Sequence, residues 1–123
     1  MLNNKYLNWL YLFIKKYYFI ISFFILIIIV VLSLYPENLQ TFHETKYLDK
    51  IFHFIAYFFL ALPVSIIKPK FWLSYIIIFL LSGLLIEFFQ TFNPEHQGEL
   101  LDLLSNFLGI IGAIYFSKII IKN

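Results

Sequence analysis

Four long apolar runs dominate the sequence, and their lengths suit a bilayer better than a soluble core. A helix needs about 20 mostly apolar residues to cross roughly 30 Å of hydrocarbon. The first run, 17–34, has no charged side chain; Lys15 and Lys16 precede it and Pro36 follows it. The second, 51–67, is interrupted by His53 and Pro63, and the third, 71–92, carries Glu87 and Gln90 near its end. The fourth, 103–121, contains Asn106, Gly109, Gly112 and, near its end, Lys118, whose stem can snorkel to the interface. Strands do not fit, because the runs are continuous rather than alternating and four strands cannot close a barrel in lipid. The predicted fold is an all-α membrane protein, a four-transmembrane-helix bundle forming one domain over residues 1–123. Ahead of it, Tyr6, Leu7, Leu10, Phe13 and Ile14, with Trp9 beside them, have the spacing of a short interfacial N-terminal helix.

The composition agrees with this reading. The chain is 62% hydrophobic, 22% aromatic and 13% charged, whereas about 25% of residues in soluble domains are charged. A water-soluble domain of this size could not hide so much apolar surface. The absence of cysteine excludes disulfides, thiolate metal sites and a cysteine nucleophile. The first run exceeds the about 7–15 apolar residues of a secretory signal, and no small-x-small cleavage site follows it, so it is read as an uncleaved span.

Orientation follows from charge. Lys5, Lys15, Lys16, Lys68, Lys70, Lys118 and Lys122 fall on one side of the four spans, with Lys46 and Lys50 on the other. The positive-inside rule then places both termini in the cytoplasm, in a multi-pass protein of the cytoplasmic membrane. The acids have the opposite distribution. Glu37, Glu44, Asp49, Glu95, Glu99 and Asp102 lie in or beside the two outer loops, and Glu87 lies in the nearby half of span three. The functional surface is expected on that outer side. The cytoplasmic lysines are few, separated and explained by topology, so no nucleic-acid partner is expected.

Polar groups inside lipid are expensive and usually face the bundle interior. Asp49, His53 and Tyr57 are spaced by four and share one helix face, with Lys50 beside them; Glu87 and Gln90, and Asp102 and Asn106, form further one-face pairs. All belong to the outer ends of their spans, so convergence into one cluster is expected. The residues leave two readings open: a hydrogen-bonded staple between helices, or a binding or catalytic site. His53 is expected to donate to Asp49 and to a carboxylate of span three or four. Gly83 and Ser82, with Gly109 and Gly112, are read as close helix packing, and Pro63 as a kink. Tyr57 reads as a hydrogen-bonded core aromatic, His43 and His96 as solvated loop residues, and Trp9 and Trp72 as interfacial aromatics.

Three segments in order, Asp49-Lys50-x-x-His53-x-x-x-Tyr57, Glu87-x-x-Gln90 and Asp102-x-x-x-Asn106-x-x-Gly109-x-x-Gly112, resemble the VanZ-like family of small bacterial membrane proteins. The resemblance covers roughly residues 50–115. It implies a four-helix protein of the bacterial envelope with shared polar residues at its outer face, in a family named for low-level resistance to a glycopeptide antibiotic. It transfers no catalytic residue. The family often has an Arg between its second and third segments; here that loop reads Asn93-Pro94-Glu95-His96-Gln97-Gly98-Glu99, with His96 near that place.

Two functional expectations follow. In the first, the cluster binds a polar lipid headgroup, a lipid-linked cell-wall precursor or a glycopeptide at the outer leaflet, without a cofactor. In the second, the chain is an intramembrane hydrolase or transferase on a lipid-linked substrate. There Asp49, His53, Glu87 and Asp102 would divide acid and base roles or hold a divalent metal. No His-x-x-x-His or comparable ligand motif occurs, so no metal is expected. An ion or proton transporter is disfavoured, because no ionisable residue continues a pathway into the inner half of the spans.

Overall fold

The computed structural model describes residues 4–35, 46–92 and 100–122. Their secondary structure is helical throughout: α1 (Lys5–Leu34), α2 (Lys46–Ile67), α3 (Trp72–Gln90) and α4 (Leu100–Lys122). All four helices are long and apolar enough to cross a membrane.

In α1, the Asn4 side chain accepts the Tyr6 N–H at 3.1 Å and caps the helix. The N-terminal stretch runs on into the first span without a break, since neither Gly nor Pro interrupts residues 5–34. The helix ends at Tyr35, whose extended backbone (φ −70°, ψ 136°) is the conformation favoured before Pro36. α2 begins at Lys46 rather than at residue 51. Its first turn is polar, which hides it from an apolar-run reading, yet Asp49 there complements the positive end of the helix dipole. The helix continues through buried Pro63. It stops where Lys68 takes a positive φ of 45°, immediately before Pro69.

Packing is closest between α2 and α4, while α1 packs on α2 and α3 and shares no contact with α4 among the described residues. The hydrogen bonds fix the topology. Gln90, at the end of α3, reaches the carbonyl of Ser33 at the end of α1, and Lys50, at the start of α2, meets Asp102 at the start of α4. Tyr18 and Tyr75 meet edge-on at the opposite end. The helices therefore alternate up and down, with the acids of α2, α3 and α4 toward one end and Lys68, Lys70 and Lys118 toward the other.

The core comprises Ile29 of α1, Tyr57, Leu60, Ala61 and Val64 of α2, Ile76, Phe79 and Ile86 of α3, and Ile110 and Ala113 of α4. Across it, the Ser22 hydroxyl donates to the Leu60 carbonyl at 3.1 Å, a tie between α1 and α2. The outward faces carry exposed Phe, Leu and Ile along every helix, among them Phe24, Ile28, Phe59, Ile77, Leu84 and Phe107. Such a surface aggregates in water and is at home in lipid tails. The architecture is that of a multi-pass membrane protein.

Candidate functional site

The site is built on the seam between α2 and α4. Asp102, Asn106, Gly109, Ile110 and Ala113 share the buried face of α4, and they change from polar to apolar with depth. On α2 the same change runs through Asp49, His53 and Tyr57 to Leu60 and Val64. Gly109 allows the two helices to approach so closely. A Cβ there would run into the Phe54 carbonyl oxygen and lie 3.0 Å from the Phe58 amide nitrogen, both backbone atoms. The seam thus brings the polar ends of α2 and α4 side by side.

Two contacts connect them, and a third lies within α2. The Lys50 ammonium lies 3.4 Å from Asp102 Oδ1. His53 Nδ1 donates to Asn106 Oδ1 at 2.9 Å, and its Nε2 lies 3.7 Å from Asp49 Oδ1. Side-chain exposure is 28% at Asp49, 11% at His53 and 6% at Asp102, so the carboxylates and the ring are progressively withdrawn from the surface. One turn deeper, Tyr57 is buried and its hydroxyl lies 3.3 Å from Ser82 Oγ on α3, which in turn donates to the Phe79 carbonyl. Gly83 makes room for this layer: a Cβ there would lie 2.9 Å from Asn106 Nδ2 and 3.0 Å from the Tyr57 hydroxyl. Glu87, one turn along α3 on the same face, is also buried. The result is a polar thread about 12 Å long, two helical turns, inside an otherwise apolar bundle.

Comparison with protein-family models, curated proteins and solved structures returns no match. The geometry alone therefore carries the chemistry. It brings together Asp49, Lys50, His53, Asp102 and Asn106, with Tyr57 and Gly83 beneath them. The partner of His53 on α4 is the amide of Asn106, not a carboxylate. Gln90 Nε2 donates to the Ser33 carbonyl at 2.9 Å, which ties α3 to α1. Ser82 is more than a small packing residue, since it bonds the Tyr57 hydroxyl. The sequence reading passed over Ser22, for which the only signal was a serine within an apolar run, and over Ser33, which accepts through its backbone carbonyl and leaves no side-chain signal. Gly112 is looser than Gly109, with the Phe58 ring 3.4 Å from a Cβ placed there. Glu37, Glu44, Glu95, Glu99, His43 and His96 lie outside the described residues.

Chemically, the rim offers one ammonium, one imidazole and two carboxylates. Asp49, His53 and Asp102 each present a potential ligand atom, all within 4.8 Å of one another. Asn106, beneath the rim, holds the His53 ring through a hydrogen bond that counts for more in this low-dielectric setting than it would in water, while Tyr57 and Ser82 bond each other one layer down.

Proposed function

We propose that the chain is a VanZ-like protein of the bacterial cytoplasmic membrane that uses this cluster to bind a polar headgroup at the outer leaflet. The group bound is a polar lipid headgroup, a lipid-linked cell-wall precursor or a glycopeptide antibiotic. The observation that carries the reading is the polar thread itself. Two helices commit charged and hydrogen-bonding side chains to one end of a bundle whose outward faces are apolar. A staple alone would not need charged groups, since uncharged hydrogen bonds hold membrane helices together with less desolvation.

Native mass spectrometry of protein extracted from its own membranes tests this. A headgroup-selective adduct is expected on the unmodified chain, and its loss is expected in Asp102→Asn and His53→Gln while the variants elute as folded species. The same adducts on all three would leave only the staple.

The orientation rests on the lysines and is tested separately. The chain has no cysteine, so single cysteines report cleanly. In intact cells, Asn4→Cys, Pro69→Cys and Asn123→Cys should resist a membrane-impermeant thiol reagent, and Asn38→Cys and Gln97→Cys should react. The reverse pattern would turn the bundle over and move the cluster to the cytoplasmic side.

A further inference from the structure

We propose that Asp49, His53 and Asp102 form a divalent-cation site of the zinc or manganese class, with Asn106 as the positioning residue that presents the imidazole. The observation behind it is the juxtaposition of three donor groups from two helices within 4.8 Å, one of them an imidazole that also bonds a residue outside the set. It goes beyond headgroup binding and does not depend on it, because an ion bound here is measured directly.

The imidazole geometry points to a metal. Asn106 Oδ1 can only accept, so Nδ1 is the donor in this contact and Nε2 is the ring nitrogen left to face an ion. Metal-ligating histidines are held in this way, with the second ring nitrogen donating to a carbonyl or carboxylate. Nε2 faces Asp49 Oδ1 at 3.7 Å, too far for a hydrogen bond. That spacing is close to the ~3.3 Å between two donors on a tetrahedral ion with bonds of ~2.0 Å. Asp49 and His53 are thus nearly set as a ligand pair, one turn apart on α2, and Asp102 completes the set from α4.

Charge favours a cation over an anion. The site brings together two carboxylates, Asp49 and Asp102, and one ammonium, Lys50. Asp102 is 4% exposed, so water does not screen it as it would a surface carboxylate. Lys50 marks the position where Asp102 already holds a positive charge, at 3.4 Å. Its flexible stem lets the ammonium withdraw when a smaller, doubly charged ion arrives. A nitrogen with two oxygens selects zinc or manganese over calcium or magnesium, which prefer oxygen alone. Three protein ligands leave a coordination position open.

The test uses the full chain in detergent without a histidine tag, stripped with a chelator and titrated calorimetrically with zinc chloride and with manganese chloride. One ion per chain is expected. His53→Gln and Asp102→Asn should abolish binding, and Asn106→Ala, which keeps all three ligands, should weaken it about 10–100-fold. Asn106→Asp retains an acceptor for Nδ1–H and should restore it. A His43→Asn/His96→Asn variant should bind as the unmodified chain does. Lys50→Gln should bind more tightly, and zinc should raise its melting temperature by more than it raises that of the unmodified chain. No binding, or binding that disappears with His43 and His96 but survives His53→Gln, overturns the site. If the His53 or Asp102 variants fail to fold, unchanged or weaker zinc affinity in Lys50→Gln overturns it alone.

Discussion

Replacing Gly109 with alanine is expected to break the bundle at its closest helix pair. The added methyl meets the Phe54 carbonyl oxygen and the Phe58 amide nitrogen, neither of which can rotate away as a side-chain tip would. The helices must separate along their whole contact, and a loss of about 3 kcal/mol, the upper end of the usual overpacking range, is expected. The other two glycines grade this result. Gly112→Ala should be tolerated to within about 1 kcal/mol, because its methyl only touches the edge of the Phe58 ring. Gly83→Ala should leave the fold in place but displace the Asn106 amide and the Tyr57 hydroxyl, both of which sit on rotatable side chains. Thermal unfolding in detergent, followed by size exclusion, measures all three. A Gly109→Ala protein melting with the unmodified chain would show that α2 and α4 are not in backbone contact.

The second large effect concerns the ion pair. Lys50→Met removes the ammonium from Asp102, which is almost completely buried. Breaking a buried pair costs about 3–5 kcal/mol, and the partial exposure of Lys50 lowers the expected loss to about 2–3 kcal/mol. The double variant Lys50→Met/Asp102→Leu removes both charges and should recover most of that loss, since an apolar pair of similar volume has no desolvation to offset. Unfolding in chelating buffer keeps metal ions out of the comparison. A double variant no more stable than the single one would mean that Asp102 has no uncompensated charge in Lys50→Met.

The four spans, the segregation of lysines from acids and the shared faces of Asp49, His53, Tyr57, Asp102 and Asn106 could be read from spacing, because a helix fixes which of its own residues line up. Pairing between helices could not. That Lys50 meets Asp102, and that His53 meets Asn106 instead of a carboxylate, depends on how far α2 is rotated and slid against α4. Gln90 shows the same limit: its spacing from Glu87 puts both on one face, yet its amide turns to the Ser33 carbonyl of α1. Apolar runs fall short of the helix starts where the first turn is charged, as at Lys46. Hydropathy marks the stretch that fits lipid; the helix extends as far as its backbone has partners.

Because α2 and α4 are separated in the chain by all of α3, the seam between them is a late event in biosynthesis. A chain emerging from the ribosome delivers α1, α2 and α3 before α4 exists, and helices inserted one by one associate afterwards. During that interval Asp49, Lys50 and His53 lack their counterparts on α4 and face either lipid or the insertion machinery. A nascent chain arrested before Leu100 should therefore be the form that membrane quality control recognises.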